Sequence, residues 1–301
     1  MEIIIHGGAG ALSPELYSKE EIDEYKKALS SIVESAFDML MQGSAAVEAV
    51  TKAVLDLEDH PLFNAGRGSV FDEQGEITMD ASIMCGTSLK VGGVTELRKL
   101  KNPILAAHWV MENSPHSLIT GSRLENYLQS LNFKVQNPEY FKTEKRWQQY
   151  LEAKKQGRVS LDHGQQDSNT VGAVARDKKG HLAAATSTGG MTLKFSGRVS
   201  DSSIAGAGTF ADNKTCAVSG TGTGDVFIQS SLCHYIHCLM LLNNKSLKDA
   251  CDIALKLLSE RGGYGGVIAV DAHGNCCMPF CSGGMFRALK TDRGQMEVHV
   301  Y

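Results

Sequence analysis

The feature that most constrains this chain is a run of small residues that directly follows a polar stretch. Residues 170–176 and 181–187 alternate in period two across a turn at 177–180, which predicts a β-hairpin. Most of their side chains are small, and small side chains suit a sheet that is covered on both faces. Residues 156–169 are polar and aperiodic, which predicts a loop. A loop of this length that leads straight into a buried strand is unusual in a compact domain.

That junction suggests a cut in the chain before Thr170. Cleavage there would leave a residue that carries both a hydroxyl and a free α-amine. An amine with a pKa of ~7.7–8.0 can accept the hydroxyl proton near neutral pH, which turns threonine into a nucleophile without a histidine. Most threonines in strands have no catalytic role. From the spacing alone, an ordinary strand residue is therefore the commoner explanation.

The rest of the chain predicts two groups of strands, each accompanied by a pair of longer helices. The predicted helices are 25–42, 44–59 with Ser44 as its cap, 103–111, 122–131, 143–155, 225–242 and 246–261. The predicted strands besides the hairpin are 2–6, 69–71, 76–84, 90–100, 215–220, 266–271, 275–280 and 295–300. This pattern indicates two sheets covered by helices, without an internal repeat.

Composition argues against several classes of protein. A net charge of −4 gives no basic surface for nucleic acid or for an anionic membrane, so we expect neither as a partner. No apolar run reaches the ~18 residues of a membrane span, and the first residues do not resemble a signal peptide. The eight cysteines are then expected to be reduced thiols. We therefore expect a cytoplasmic protein.

A glycine-rich turn near the start suggests dinucleotide binding as an alternative function. The apolar strand 2–6 leads into Gly7-Gly8-Ala9-Gly10, as in the fingerprint of that fold. The third glycine of the fingerprint is missing, since Ser13 stands in its place, and no helix begins directly after the turn. This alternative is therefore weak.

The segment 233–238 (CHYIHC) contains residue types that bind zinc. On a helix, Cys233 and His237 share one face, whereas His234 and Cys238 share another. A single helix cannot surround one zinc ion with four ligands, so packing in the core is the favoured explanation. A third alternative is an uncut protein that binds a ligand without catalysis.

Strings of residues along nearly the whole chain resemble one enzyme family. In the first half they are 6–10 (HGGAG), 61–66 (PLFNAG) and 79–84 (MDASIM). In the second half they are 170–175 (TVGAVA), 184–192 (AATSTGGMT), 197–202 (GRVSDS), 206–208 (GAG) and 219–225 (SGTGTGD). Each string alone is common, but together, in this order and spacing, they resemble the plant-type asparaginase and isoaspartyl aminopeptidase family of N-terminal nucleophile hydrolases.

The resemblance implies an α+β fold, the four-layer αββα sandwich of N-terminal nucleophile hydrolases, which agrees with two helix-covered sheets. Family members cut themselves into two subunits and assemble as dimers of the cut unit. Residues 1–301 are thus expected to form one domain, cut between Asn169 and Thr170 into an alpha subunit, 1–169, and a beta subunit, 170–301. No cofactor is implied apart from a structural sodium or potassium ion.

The resemblance also implies catalytic roles. Thr170 resembles the nucleophile, with its own α-amine as the proton acceptor, and Thr188 resembles the threonine that supports its hydroxyl. The Thr221 hydroxyl and the Gly222 N–H resemble the oxyanion hole, in which fixed donors meet developing negative charge. Asn64 resembles the asparagine that assists the cut.

Two charged residues resemble the site for the substrate's amino-acid head group. Arg198 matches the residue that binds the α-carboxylate, to which a guanidinium can make two parallel hydrogen bonds. Asp201 matches the acceptor of the α-ammonium group. The other residues that the resemblance places at the substrate are Val199, Ser200, Thr221, Gly222, Thr223 and Gly224. The backbone carbonyls implied for the alkali ion are those of Leu57, Glu58, His60, Phe63, Ala65 and Arg67.

The activity implied is hydrolysis of β-aspartyl (isoaspartyl) dipeptides and of L-asparagine to L-aspartate, with a small molecule as the substrate. A glycosylasparaginase-like amidase is the nearest alternative within the family. Gly189-Gly190 after Thr188 resembles the asparaginase branch, because the other branch usually has an asparagine there.

Overall fold

The computed structural model describes residues 1–13, 15–156 and 170–301. Its strands are β1 (Glu2–Gly10), β2 (Met79–Cys85), β3 (Val91–Leu97), β4 (Leu118–Thr120), β5 (Val171–Arg176), β6 (Leu182–Thr188), β7 (Thr209–Ala211), β8 (Cys216–Gly222), β9 (Gly265–Asp271), β10 (Cys276–Cys277), β11 (Gly284–Thr291) and β12 (Met296–His299). Its helices are α1 (Lys19–Met41), α2 (Ala46–Asp59), α3 (Pro103–Asn113), α4 (Ser122–Ser130), α5 (Pro138–Phe141), α6 (Glu144–Gln156), α7 (Gly224–Ser230), α8 (Leu232–Asn243) and α9 (Leu247–Glu260).

These strands form a larger and a smaller sheet. The order in the larger sheet is β12-β11-β1-β5-β6-β2-β3-β4, and in the smaller sheet it is β10-β9-β8-β7. Neighbouring strands are antiparallel, except that β3 and β4 are parallel. The larger sheet interleaves the two halves of the chain, since β1 lies between β11 and β5, and β2 pairs with β6.

Helices cover the outer faces, and the two sheets face each other. Helices α1, α2 and α3 pack on the larger sheet, whereas α8 and α9 pack on the smaller one. Strands β5 and β6 contact β8 across the space between the sheets. The predicted pair of helix-covered sheets is therefore observed as a mixed α/β structure.

The strands in the middle of the larger sheet are buried on both faces, as the small residues predict. Ala173 and Ala175 of β5 belong to the core beneath the helices, whereas Val174 between them belongs to the core between the sheets. On β6, Ala183 and Ala185 face the helices and Ala184 faces the smaller sheet. Period-two alternation then directs residues 170, 172, 186 and 188 toward the smaller sheet.

Several predicted elements are corrected by the structure. Ser44 is not the cap of α2, because Ala45 occupies that position and its N–H is bonded to the Glu48 carboxylate at 2.9 Å. Residues 69–71 are not a strand. Strand β11, which the sequence did not predict, pairs with β1 along the length of that strand.

The predicted helix 225–242 is in fact two helices. Ser231 adopts a left-handed backbone, with φ of 45°, and separates α7 from α8. Among the described residues, the stretch 224–243 is long and apolar enough to cross a membrane by length and composition alone. The stretch is broken at Ser231, and its second part, α8, packs on the smaller sheet. Helices that pack in the core of a domain can be as long and as apolar as this stretch.

We predict that Gly92→Ala destabilises the fold because β3 and α3 approach too closely there for a side chain. A Cβ at Gly92 would lie 1.9 Å from the carbonyl oxygen of Ala107 and 2.6 Å from the backbone nitrogen of Met111. Overpacking of this kind costs about 1–3 kcal/mol in the free energy of unfolding. Urea titrations should show that loss, and Lys90→Ala, in the exposed turn before β3, should show none. Equal stability of both variants would contradict the prediction.

Candidate active site

Thr170 and Thr188 meet in the space between the sheets. Val171 pairs with Ser187 in the β5–β6 hairpin, so the residues just beyond this pair lie side by side. The Thr170 hydroxyl lies 3.1 Å from the Thr188 hydroxyl, and both residues are buried, with exposed fractions of 7% and 1%. The Thr188 oxygen also accepts the N–H of Gly190 at 2.9 Å. The two predicted threonines are therefore adjacent and hydrogen-bonded.

The residues expected to form the oxyanion hole lie at the end of β8. Thr221 is fully buried, and its hydroxyl oxygen accepts the N–H of Ala9 on β1 at 3.3 Å. This contact crosses from the smaller to the larger sheet, so the Thr221 side chain faces the same space as Thr170. Gly222 has φ of +137°, and a Cβ there would lie 2.1 Å from the Tyr264 carbonyl oxygen. Glycine is therefore required at this position.

The side chains of Arg198 and Asp201 both approach Gly224 at the place where a larger residue would carry its Cβ atom. A Cβ at Gly224 would lie 2.3 Å from one Asp201 carboxylate oxygen and 3.2 Å from an Arg198 nitrogen. The Arg198 guanidinium donates to Asp225 at 3.1 Å, a partner that the sequence did not suggest. Because Asp225 is half exposed, a substrate carboxylate could replace it on Arg198.

Asp201 is a buried carboxyl group, and one of its two oxygen atoms, Oδ2, is buried without a hydrogen-bond partner among the described residues. Burial raises the pKa of Asp201 to about 7, although the nearby Arg198 guanidinium acts in the opposite direction. An ammonium group beside the Asp201 carboxyl group would stabilise its ionised form. The site is therefore electrostatically suited to a zwitterionic head group.

The other residues predicted at the substrate lie nearby but use their polar groups structurally. The Ser200 N–H donates to Asp80 at 2.8 Å, and Val199 is partly buried beside it. The Thr223 hydroxyl accepts the N–H of Tyr264 at 3.1 Å and so fixes the start of α7. Asn169 lies outside the described residues.

Asn64 is fully buried and holds the backbone that follows Thr188. Its side-chain amide donates to the Gly190 carbonyl at 2.7 Å, and its backbone carbonyl accepts the Gly189 N–H at 3.0 Å. Its side-chain oxygen accepts the N–H of Val70 at 3.0 Å. Asn64 therefore positions the segment beside the threonine pair.

Two buried charged residues that the sequence analysis gave no role support this site. The Lys194 ammonium donates to the carbonyls of Gly189 at 2.6 Å and Thr78 at 2.8 Å. Asp80 pairs with Thr188 across β2 and β6, and its carboxylate accepts the N–H of Ser200. Asp80 thus joins the threonine pair to the segment that carries Asp201. In the sequence, the indication of a role for Asp80 was that it belongs to the string 79–84, which resembles the family.

In the loop 57–67, the carbonyls of Leu57, Glu58 and His60, which were expected at the ion, accept backbone N–H groups. The carbonyl oxygens of Pro61 and Phe63 both lie 2.6 Å from the position of a Cβ at Gly68, so they converge on one point. The carbonyl of Glu58 accepts the N–H of Arg67 at 2.7 Å, which closes the loop. Oxygen donors of this kind suit sodium or potassium better than a transition metal.

The other residues predicted for the ion are placed by the core. Phe63 and Ala65 are fully buried, and His60 lies against the Phe63 ring with 5.5 Å between ring centroids. Leu57 is buried at the end of α2, and its carbonyl accepts the His60 N–H at 3.3 Å. Burial raises the pKa of the Glu58 carboxyl to about 8, and this group accepts the Ser187 hydroxyl at 2.6 Å.

The two alternative motifs are occupied by other contacts. Residues 7–10 belong to β1, and α1 begins only at Lys19, so this segment is not a phosphate-binding turn before a helix. In the motif 233–238, His237 is hydrogen-bonded to Thr215 at 2.6 Å, while Cys233 is fully buried in the core. Within the described residues, no three His, Cys, Asp or Glu side chains are grouped as metal ligands.

The chain is similar to known proteins over most of its length. A family model described as asparaginase matches residues 1–300. The isoaspartyl peptidase of Salmonella typhimurium is 47% identical over 293 residues, covering 95% of this chain and 94% of that protein. The isoaspartyl peptidase/L-asparaginase of Xenopus laevis is 39% identical over 304 residues, covering 99% and 94%. A putative isoaspartyl peptidase/L-asparaginase of Dictyostelium discoideum is 40% identical over 320 residues, covering 95% and 92%.

The chain belongs to the plant-type asparaginase and isoaspartyl peptidase family. The match extends over both halves of the chain, as the order of the sequence strings predicts. The matches to these relatives cover 95% and 99% of the chain of this asparaginase family member, which carries the candidate site with its threonine pair and its two charged residues.

We predict that Lys194→Met destabilises the protein in a pH-dependent way. Burial lowers the pKa of Lys194 from 10.5 to about 8, so between these values the unfolded chain binds more protons than the folded chain. The wild-type free energy of unfolding therefore gains a contribution from Lys194 as pH rises through this window, and the variant lacks it. The variant also leaves the carbonyls of Thr78 and Gly189 unpaired, at about 1–3 kcal/mol each.

Urea titrations at pH 7.5 and 9.5, at one protein concentration, measure this difference. The difference in the free energy of unfolding between wild type and Lys194→Met should be larger by about 1–2 kcal/mol at the higher pH. Lys179→Met, in an exposed turn, should show neither the loss nor the trend. A gap that stays constant or narrows with rising pH would show that Lys194 does not titrate as described.

Proposed function

We propose that this asparaginase family member hydrolyses β-aspartyl dipeptides and L-asparagine to L-aspartate, with Thr170 as the nucleophile after the chain cuts itself before that residue. The observation that carries the proposal is the buried hydrogen bond between the Thr170 and Thr188 hydroxyls. Family membership and the similarity to isoaspartyl peptidases support the activity. The contact between the two hydroxyls supports Thr170 as the nucleophile.

The cut supplies the base of the reaction. In the uncut chain the Thr170 nitrogen belongs to a peptide bond and cannot accept a proton. Once free, the amine takes the proton that the Thr170 hydroxyl gives to Thr188 in the uncut chain. The Thr188 hydroxyl then donates to the attacking oxygen and orients it. The oxygen attacks the β-carbonyl carbon, the leaving amine takes a proton from the Thr170 ammonium, and water then hydrolyses the ester.

The substrate's head group lies between Arg198 and Asp201. The guanidinium releases Asp225 and binds the α-carboxylate, and the Asp201 carboxylate accepts the α-ammonium. Both contacts are remote from the bond that breaks, so they position the β-carbonyl for attack. The oxyanion then lies against the Thr221 hydroxyl and the Gly222 N–H.

We further propose that the layers form the four-layer αββα sandwich of N-terminal nucleophile hydrolases, as one domain cut into subunits 1–169 and 170–301. The facing sheets with helices outside support it. The cut unit assembles as a dimer and works in the cytoplasm. Loop 57–67 holds a sodium or potassium ion through its carbonyls, and this ion stabilises the loop and takes no part in the chemistry.

The backbone beside Thr188 favours this substrate class over a glycosylasparaginase activity. A Cβ at Gly189 would lie 2.4 Å from the Asn64 side-chain oxygen and 2.5 Å from the Ser69 Cβ atom. The asparagine that is usual in the other branch therefore does not fit here without movement of buried groups. Higher efficiency on N-acetylglucosaminyl-asparagine than on β-Asp-Leu would reverse this choice.

We predict that the purified protein runs as two fragments and that Thr170→Ala stays full length. The same hydroxyl that attacks the substrate must attack the preceding carbonyl for the chain to cut itself. Denaturing gels with amino-terminal sequencing of the smaller fragment test this. Thr215→Ala is a matched control, since Thr215 is a buried threonine just before β8, as Thr170 is before β5. A Thr170→Ala chain that still cuts at this bond would remove Thr170 from the mechanism.

We predict that Arg198→Ala lowers kcat/KM on β-Asp-Leu by roughly thirtyfold to several thousandfold. Loss of the guanidinium leaves the substrate carboxylate unpaired in a largely buried site, at about 2–5 kcal/mol. Steady-state assays of released leucine measure the effect. Arg261→Ala, whose guanidinium bonds Gln229 and Ser230 at the surface, should leave the kinetics unchanged. Unchanged kinetics in Arg198→Ala would refute the assignment.

A further inference from the structure

His6 lies in direct contact with the backbone of Thr170. It is fully buried on β1, and its Nδ1 atom lies 3.0 Å from the Thr170 carbonyl oxygen. Its Nε2 atom lies 3.0 Å from the Ser219 hydroxyl on β8. A carbonyl oxygen can only accept, so Nδ1 must carry the hydrogen. The imidazole therefore joins the nucleophile's carbonyl to the opposite sheet.

The second ring nitrogen must then be an acceptor. Complete burial lowers the pKa of His6 to about 3, so the ring is neutral and carries a single hydrogen. That hydrogen is on Nδ1, which leaves Nε2 to accept the Ser219 O–H. The contact with Ser219 thus selects one of the two neutral tautomers of His6.

This selection continues along a chain of hydroxyl groups. Because Ser219 gives its one hydrogen to His6, the contact of 2.7 Å between Ser219 and Thr186 needs the Thr186 hydroxyl as its donor. The Gly208 carbonyl, at 3.2 Å, is the more distant of the two acceptors for that hydrogen. The hydroxyl of Thr209 in turn donates to Thr186 at 2.5 Å. Every hydrogen in the series points toward the carbonyl of Thr170. Bonds aligned in one direction polarise and strengthen one another in a low-dielectric interior.

The absence of a side chain at one position allows this arrangement. Gly172 lies on β5, two residues after Thr170 and on the same face. A Cβ at Gly172 would lie 2.0 Å from the Ser219 oxygen and 2.4 Å from Nε2 of His6. Even alanine at this position would separate the histidine from the serine.

We propose that His6 is a positioning residue for the nucleophile: it holds the Thr170 carbonyl through an Nδ1–H tautomer that Ser219 and Thr186 maintain. The inference rests on the proposed role of Thr170 and adds a residue to it. Fixing the carbonyl fixes the plane of the backbone at Thr170, and this keeps its hydroxyl against Thr188. His6 is not the base of the reaction, because both of its nitrogens already make hydrogen bonds. Its bond to Thr170 is to the backbone carbonyl and not to the hydroxyl.

Two substitutions at His6 separate its two contacts. In His6→Asn, the side-chain amide reaches the position of Nδ1 and can still donate to the Thr170 carbonyl. In His6→Gln, the amide reaches the position of Nε2 and meets Ser219 instead. Both variants remove the same ring, so a general loss of packing affects them alike. His237→Asn is a matched control, because His237 is another buried histidine with a threonine partner, Thr215, away from Thr170.

We predict that His6→Gln lowers kcat on β-Asp-Leu by about 30–100-fold, since a misplacement of about 1 Å at the reacting group costs on the order of a hundredfold. His6→Asn should recover to within about fivefold of wild type. KM should change by less than about threefold in both, because Arg198 and Asp201 bind the head group independently. Rates are divided by the cut fraction on a denaturing gel, and melting temperatures are recorded alongside. His237→Asn should keep the wild-type kcat.

The outcomes separate this inference from the proposed function. A wild-type protein that neither cuts before Thr170 nor hydrolyses β-Asp-Leu would defeat the proposed function and the role of His6 with it. If wild type is active, equal kcat in His6→Gln and wild type would defeat only the role of His6. Equal losses in His6→Asn and His6→Gln would also defeat it, since packing alone would then explain the effect.

The tautomer can be observed in the wild-type protein without any substitution. Long-range ¹⁵N–¹H correlation spectra distinguish a protonated Nδ1 from a protonated Nε2. We expect His6 to show the neutral Nδ1–H form. Ser219→Ala, which removes the donor to Nε2, should weaken that preference and lower kcat by about tenfold. A neutral Nε2–H form of His6 in the wild-type protein would overturn the proposal, whatever the variants show.

Discussion

The structure depends on how closely the two sheets approach at β5 and β8. With no side chain at Gly172, the distance between the sheets is short enough for a single imidazole and a serine to bridge it. That distance also brings Thr221 within reach of β1, where its hydroxyl meets the Ala9 N–H. Larger side chains on these faces would separate the sheets and with them the groups of the site. The small residues of β5 and β6 are therefore a geometric requirement of the site as well as of the core.

The sequence predicts this part of the molecule well because the signal is local. Period-two alternation of small residues predicts the β5–β6 hairpin, and the hairpin register alone places Thr170 beside Thr188. The same alternation directs their side chains toward the smaller sheet. Arg198 and Asp201 are close in sequence, and in the structure both side chains use the space that the missing side chain of Gly224 leaves.

The sequence does not predict contacts that join distant segments. Strand β11 was missed because its partner, β1, lies at the other end of the chain. The break at Ser231 was missed because the apolar pattern runs through it, and serine is not a residue that usually adopts a left-handed backbone. Lys194 and Asp80 look like ordinary charged residues in sequence. Their roles depend on which carbonyls and N–H groups the tertiary fold leaves without partners, and no local pattern encodes that.

The interleaved order of the larger sheet has a consequence for the two proposed subunits. Strand β1 of one subunit lies between β11 and β5 of the other, and β2 pairs with β6 in the same way. Neither subunit alone contains the whole larger sheet, so each would expose unpaired strand edges over apolar faces. Joined in one chain, the strands find their neighbours at the entropic cost of closing loops, whereas separate polypeptides must first meet at cellular concentrations. The uncut chain thus acts as an intramolecular scaffold, and genes split at the junction would be expected to yield aggregation-prone halves.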